Sequence, residues 1–195
     1  MECIETMYFH ASQTADIEYL EPRISNHGIP LLYFSAKREN TLVYLSNAIE
    51  KYCRETGYLH HGKWTKWGSY GFTKEGILRL EEYWPSATID TYKGVSGYIY
   101  SAAQTDDMEA MPEIPFCYVA KTTAKVEYAE YIPDAYDSLM EAVEKGEIIL
   151  QKYEDLSEAS LQWIHQTMIK EYETASEEYQ YFLRNHFAFL QSAHL

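Results

Sequence analysis

Two shortages in the 195-residue chain limit the kind of protein that it encodes. No apolar run approaches the ~20 residues that a membrane helix needs, and the first residues do not begin a signal peptide. We therefore expect a soluble, cytoplasmic protein. Basic residues are also few, with 16 Lys and Arg against 30 Asp and Glu, a formal net charge of −14. This charge argues against sequence-independent binding to nucleic acid or an anionic membrane, although a local basic pocket for a small anion remains compatible with it.

Cysteine and the common catalytic motifs are scarce too. Cys3, Cys53 and Cys117 are far apart and form neither a CxxC pair nor a zinc-ligand spacing, which favours inert thiols in a reducing compartment. The sequence lacks GxxxxGK[ST], GxGxxG, HExxH and GxSxG, which excludes P-loop, Rossmann, zincin and α/β-hydrolase sites. Adjacent residues His60 and His61 point to opposite faces of an extended segment, so we expect no metal site.

Tyrosine, by contrast, is abundant, with 19 copies in a chain whose 46% hydrophobic and 24% charged residues are typical of a globular protein. Tyrosine joins a flat apolar face to a polar tip, so a surplus suits stacking on a planar ligand. It equally suits half-buried positions in β-strands. The same two alternatives apply to Lys63–Phe72, where aromatic residues alternate with lysines: a ligand-stacking loop, or a hairpin whose tryptophans cover a sheet edge.

Short runs of β-branched and aromatic residues, separated by Gly and Pro, predict strands before Pro133. The predicted strands are Thr6–Ala11, Pro30–Ser35, Ile77–Tyr83, Val95–Ala102, Phe116–Thr122 and Lys125–Ile132. One predicted helix, Lys37–Arg54, interrupts them, with Ser35 as its N-cap and Gly57 just beyond its end. Its apolar face comprises Leu42, Leu45, Ile49, Tyr52 and Cys53.

After Pro133 the pattern becomes helical. A helix is predicted over Asp134–Lys145, ended by Gly146, followed by a short strand within Glu147–Tyr153. Two further amphipathic segments predict a hairpin, with apolar positions at Leu161, Ile164, Met168 and Tyr172 and then at Tyr179, Phe182, Leu183 and Phe187. The chain is thus predicted to be α+β, with a domain over 1–153 and an acidic helical hairpin over 154–195. The hairpin either packs on the protein's own sheet or contacts a partner or a second copy.

One set of residues stands in a recognisable order along these elements: His10-Ala11-Ser12, then Leu32-Tyr33-Phe34-Ser35, then Thr41 and Tyr44 on the helix, then Glu130-Tyr131-Ile132. This order resembles the His-Tyr-Glu branch of the ADP-ribosyltransferase superfold, which includes the poly(ADP-ribose) polymerases and diphtheria-like toxins. In that branch the first strand ends in His-Gly-Ser or His-Gly-Thr, and a later strand carries Tyr-Phe. A second tyrosine follows eleven residues after the first, as Tyr44 follows Tyr33 here.

The resemblance spans roughly residues 8–132 and implies a split, antiparallel-rich sheet with one inserted helix and NAD as substrate. Tyr33 and Tyr44 would then sandwich the flat, cationic nicotinamide ring. The backbone of Ala11 and the hydroxyl of Thr41 would bind its carboxamide, while His10 would bind a ribose hydroxyl. Ser12 belongs to the same motif as His10.

Charged residues complete the site that the resemblance implies. Arg23, Lys37 and Arg38 lie near these elements in the sequence and could neutralise the pyrophosphate. A carboxylate at Glu130 would stabilise the oxocarbenium-like state through which nicotinamide leaves, and no metal is implied. Glu127 is the alternative acid, because residues an odd number of positions apart face opposite sides of one strand. Ala11 departs from the family's usual glycine, which matters if that position needs a positive φ.

Two functions follow from the resemblance. The first is an NAD-dependent mono-ADP-ribosyltransferase or NAD glycohydrolase, whose unknown acceptor we expect to be a protein or small molecule rather than a nucleic acid. The second is a catalytically inactive module of the same fold that binds a nucleotide or a partner protein. The enzyme requires Glu130 or Glu127 to project beside His10, and this requirement separates the two hypotheses.

Overall fold

The computed structural model describes residues 6–24 and 28–194. Cys3 lies outside this part of the chain, whereas Cys53 and Cys117 are buried free thiols, as the cysteine spacing predicts. Within the described ranges no helix combines the length and the apolar character needed to cross a bilayer.

Among the described residues, twelve short strands lie between Met7 and Gln151. In chain order they are β1 Met7–Ser12, β2 Tyr19–Leu20, β3 Arg23–Ile24, β4 Pro30–Ser35, β5 Tyr70–Phe72, β6 Leu78–Glu81, β7 Gly97–Ala103, β8 Glu109–Ala110, β9 Cys117–Ala120, β10 Ala124–Lys125, β11 Tyr128–Ile132 and β12 Ile148–Gln151. Seven of them form the main sheet in the order β11-β7-β1-β4-β9-β8, with β3 also paired to β4. A three-stranded sheet has the order β12-β6-β5, and β10 pairs with β2.

The described helices lie between these strands and after them. They are α1 Ala48–Glu55, α2 Ala87–Tyr92, α3 Ala135–Glu144, α4 Glu158–Thr174 and α5 Glu177–His186, with 3-10 helices at Glu39–Tyr44, Tyr153–Asp155 and Ala188–His194. All pairings in the main sheet are antiparallel, and the β12–β6 pairing is parallel. The predicted α+β class is therefore confirmed.

Three buried clusters hold the elements together. One lies between the main sheet, α3 and the 3-10 helix Glu39–Tyr44, and its centre includes Leu42, Ile99 and Leu139. A second lies on the alternate positions of the same strands and includes Phe34 and Tyr100. Both faces of the main sheet are thus covered, because successive side chains of a strand point to opposite faces.

The third cluster is aromatic and joins the C-terminal helices to the rest of the chain. Phe182 of α5 is 2% exposed and packs beside Trp67 and Trp84, with ring centroids 5.6 Å and 5.9 Å away. Ile49 and Cys53 of α1 belong to the same cluster. The predicted helical hairpin thus packs on α1 and on two tryptophans instead of lying over the main sheet.

The predicted helix Lys37–Arg54 is interrupted, which corrects the sequence analysis. The 3-10 helix ends at Tyr44, and α1 begins at Ala48. Between them Ser46 is 2% exposed and its hydroxyl donates to the carbonyl oxygen of Trp67 at 2.6 Å. The interruption divides one apolar stripe, so that Leu42 packs in the α3 cluster and Ile49 in the aromatic cluster. A single straight helix could not serve both.

Two further predicted boundaries also differ from the structure. Ser35 ends β4 and accepts from the Lys37 N–H, so it shapes a turn and does not cap the helix as predicted. The segment Lys125–Ile132 forms the end of β10 and all of β11 instead of one strand. Asp134 does cap α3, accepting from the Asp137 N–H at 3.2 Å.

Candidate functional site

The main sheet splits where the sequence analysis places its first motif. Strands β1 and β4 are paired at Phe9 and Ser35. Beyond that point β1 continues along β7 as far as Ser12, while β4 continues along β9. An opening therefore forms between two strands of one sheet, and the 3-10 helix Glu39–Tyr44 lies at its side.

This opening contains a cavity of about 410 Å³, which we call the inner cavity. Its apolar wall is formed by Phe9, Phe34, Phe72, Ile114 and Pro115, and its polar residues are His10, Tyr33, Ser35, Asn40, Thr41, Tyr44 and Lys66, together with Ala11 and Cys117. A mostly apolar wall with a few polar groups is typical of sites for small planar ligands.

A second depression of about 590 Å³, the outer groove, adjoins the inner cavity. The two share His10, Ala11, Tyr33, Tyr44 and Lys66. Ser12 and Arg23 lie in the outer groove. Seven of the residues named in the sequence analysis for binding or catalysis therefore line one continuous site: His10, Ala11, Ser12, Arg23, Tyr33, Thr41 and Tyr44.

The other residues named there line neither depression: Lys37, Arg38, Glu127 and Glu130.

His10 bridges the opening between the strands. Its Nδ1 lies 2.8 Å from the carbonyl oxygen of Tyr33, and because a carbonyl only accepts, Nδ1 carries the proton. Burial lowers the pKa of His10, and the nearby cation of Arg23 also lowers this pKa. The hydrogen bond to Tyr33 raises the pKa but does not cancel the effect of burial. The imidazole is therefore neutral at pH 7, and its Nε2 is an acceptor suited to a ligand hydroxyl.

Tyr33 and Tyr44 reach the site from different elements, β4 and the 3-10 helix. Both line the inner cavity and the outer groove. Tyr44 is 48% exposed on its outer side, and its ring meets Tyr70 edge to face with centroids 5.9 Å apart. Desolvation raises the pKa of Tyr44, so its hydroxyl remains protonated. These aromatic rings give a planar ligand surfaces on which to stack.

Thr41 and Ala11, which the resemblance assigns to a carboxamide, both line the inner cavity. Thr41 is 1% exposed, and its hydroxyl already donates to the carbonyl oxygen of Arg38 at 2.7 Å. To a ligand it can therefore offer only an acceptor. Ala11 is an ordinary strand residue without a positive φ, so the replacement of glycine causes no backbone strain here.

Glu130 does not project beside His10. In the register of the sheet Glu130 lies opposite Ile99, which lies opposite Ala11, so these three share one face. His10 is one position along and belongs to the other face. The Glu130 carboxylate is held by Arg38 in a bidentate pair, with N–O distances of 2.7 Å and 2.6 Å.

Arg38 and Glu127 also lie away from the cavity. Arg38 is bound to Glu130, so its guanidinium is not directed to a pyrophosphate in the outer groove. Glu127 is exposed just before β11, and its backbone N–H donates to the carbonyl oxygen of Ser101 at 2.8 Å. Neither predicted acid is therefore placed beside the predicted histidine.

Two residues at the site escaped the sequence analysis. Lys66 donates to the side-chain oxygen of Gln13 and to the carbonyl oxygen of Ser46, both at 2.7 Å. Desolvation lowers the pKa of this ammonium, and no carboxylate forms an ion pair with it among the described residues.

Asn40 is the second of these residues. It is 5% exposed and lines the inner cavity, and neither atom of its side-chain amide is hydrogen-bonded. An unpaired buried polar group costs about 1–3 kcal/mol.

The aromatic segment Lys63–Phe72 contains residues in structural positions and residues that line the cavity. Trp67 is 6% exposed in the aromatic cluster, as a structural role requires. Lys66 and Phe72 line the inner cavity, as a ligand-binding role requires. Cys117 also lines it, but burial raises the pKa of this thiol to about 11, so it is not a thiolate nucleophile at pH 7.

No His, Cys, Asp and Glu side chains of the described ranges converge in a group that could hold a metal ion. No family model, curated protein or solved structure matches this chain. The functional argument therefore depends on the geometry of the site.

Proposed function

We propose that the protein binds NAD, or a closely related nucleotide, at the split of its main sheet, in a fold of the ADP-ribosyltransferase type. One observation carries this proposal. Seven residues chosen from sequence order alone, which span positions 10–44, line one continuous site formed by two strands and a 3-10 helix. The nicotinamide ring would occupy the inner cavity, and the diphosphate would lie toward the outer groove.

The charges and sizes support this orientation. The inner cavity is mostly apolar and, at about 410 Å³, within the size range of small-ligand sites. Arg23 lies in the outer groove and Lys66 at the junction, and Glu18 and Glu21 line the same groove, so two cations and two carboxylates border the region assigned to the diphosphate. In a chain of net charge −14, a groove in which cations balance carboxylates is less acidic than the chain as a whole, which favours a small anionic ligand over a polyanion.

Cleavage of NAD is a second candidate function, and it requires Glu130 to leave Arg38 and turn toward the site, because neither Glu130 nor Glu127 lies beside His10. Glu130 shares a sheet face with Ala11 and lies two strands away, about 10 Å at the usual strand spacing. Its pair with Arg38 is about one-third exposed, so the carboxylate can exchange partners. The bond between the ribose and the nicotinamide nitrogen would break with its electron pair passing to that nitrogen, and a protein or small-molecule hydroxyl, or water, would attack the ribose and lose its proton.

One experiment tests both candidates. Isothermal titration with NAD is combined with an assay of nicotinamide release on the wild type, His10→Ala and Glu130→Gln. The binding function predicts saturable NAD binding that His10→Ala weakens and Glu130→Gln leaves nearly unchanged. Release by the wild type that Glu130→Gln abolishes would add catalysis. Absence of binding at millimolar NAD would refute the assignment of the site.

A further inference from the structure

Asn40 carries hydrogen-bonding capacity that the protein leaves unused. It lies on the 3-10 helix Glu39–Tyr44, lines the inner cavity and is only 5% exposed. Neither its amide nitrogen nor its amide oxygen has a hydrogen-bond partner among the described residues. Buried amides in folded proteins are nearly always paired. An unpaired one at a cavity wall therefore indicates a partner that comes from outside the chain.

Neighbouring polar groups of the cavity are already engaged. The Thr41 hydroxyl donates to Arg38, and the Ser35 hydroxyl accepts from the Lys37 N–H. His10 Nδ1 donates to Tyr33. Asn40 differs from these groups because it retains a donor and an acceptor side by side on one planar amide.

We infer that Asn40 is a specificity-determining residue that recognises an amide group of the ligand. Its NH2 would donate to the ligand carbonyl oxygen while its own oxygen accepts from the ligand N–H. Side-chain rotation is the motion that would turn the amide toward the ligand. The inference rests on the proposed function, since the amide in question is the carboxamide of the nicotinamide ring.

This arrangement discriminates between an amide and a carboxylate. A carboxylate offers two acceptors and no donor, so the oxygen of Asn40 would face another oxygen. A site built around a hydrogen bond rejects analogues that lack the matching group. Lys66 at the same cavity would attract a carboxylate, so a preference for the neutral amide cannot arise from charge. We expect NAD to bind about 10- to 100-fold more tightly than nicotinic acid adenine dinucleotide.

The test is isothermal titration of both dinucleotides into the wild type, Asn40→Leu and Asn47→Leu. Leucine has the same branching at Cγ as asparagine but is larger and has no polar side-chain atoms. Asn47 is a matched control, because its side-chain oxygen is also buried and unpaired but it does not line the inner cavity or the outer groove. We expect Asn40→Leu to reduce the preference for NAD to less than about threefold and Asn47→Leu to keep it.

Thermal unfolding without ligand provides an independent measurement. Asn40→Leu removes an unpaired buried amide, so we expect a higher melting temperature together with weaker NAD binding. A purely structural role for Asn40 would give a lower melting temperature instead. If Asn40→Leu does not fold, Asn40→Ala serves the same titration.

The outcomes separate the inference from the proposed function. If the wild type binds NAD without preference over the acid analogue, or if the Asn40 variants keep that preference, the inference is overturned and the proposed function stands. If the wild type binds neither dinucleotide, both are overturned.

Discussion

Removing the charge of Lys66 should weaken NAD binding, whereas removing the charge of Arg38 should not. Lys66 lies where the inner cavity and the outer groove meet, and its two hydrogen-bond partners are neutral oxygens. Arg38 lines neither depression and is neutralised by Glu130. The sequence analysis assigned the diphosphate to Arg23, Lys37 and Arg38, so this comparison tests the replacement of Arg38 by Lys66.

The magnitude follows from the exposure of the Lys66 side chain. Two unit charges 4 Å apart interact by about 1 kcal/mol in bulk water and about 4 kcal/mol at an effective dielectric constant of 20. Lys66 is exposed as a residue although its ammonium is partly desolvated, so the lower half of this range applies. A contribution of about 1–2 kcal/mol corresponds to about a 5- to 30-fold increase in the dissociation constant for Lys66→Met. Higher salt should reduce the difference between this variant and the wild type.

The assay is isothermal titration of NAD into the wild type, Lys66→Met and Arg38→Met at low and high ionic strength. Desolvation lowers the pKa of Lys66, so its charge adds little to the stability of the fold, and Lys66→Met should unfold close to the wild type. An unchanged dissociation constant for Lys66→Met would refute the reasoning. Equal weakening by Arg38→Met would also refute it.

Three further predictions concern the fold. Phe182→Ala should lower the free energy of unfolding by about 3–5 kcal/mol in urea denaturation, because Phe182 is 2% exposed; exposed Gln166→Ala should change it little. Gly97→Ala should cost about 1–3 kcal/mol in the same assay, since a Cβ would lie 2.6 Å from Leu45 Cδ2, while Ser96→Ala should be neutral. Burial lowers the pKa of His10 and His186, so the unfolded chain takes up protons first. Stability is therefore complete above the unfolded pKa of about 6.5 and should fall as the pH drops below it; a flat profile would contradict this.

Local signals were enough to predict the elements that carry the site. The strand Pro30–Ser35 has its predicted bounds, and α3 begins after Asp134 and ends before Gly146, whose φ is +75°. Tyr33, Thr41 and Tyr44 all line the inner cavity, as their spacing predicts. They do so although the predicted helix that carries Thr41 and Tyr44 is interrupted after Tyr44. These features depend on residues close together in the chain.

What the sequence could not predict depends on distant contacts. The helix break at Ser46 depends on the carbonyl of Trp67, 21 residues away. The pairing of Arg38 with Glu130 spans 92 residues and removes both from the roles predicted for them. A lysine in a run of aromatic residues gives no local sign that it will reach a cavity. The unpaired amide of Asn40 is visible only when its whole surroundings are known.

The central claim is that NAD binds at the split between β1 and β4. Amide chemical shifts of the isotopically labelled protein, followed by NMR during titration with NAD, test it most directly. The account predicts saturable shift changes concentrated at Ala11, Tyr33, Asn40, Thr41 and Tyr44. Absence of changes at millimolar NAD would contradict it. So would changes confined to the separate depression beside Arg79, Tyr83 and Trp163.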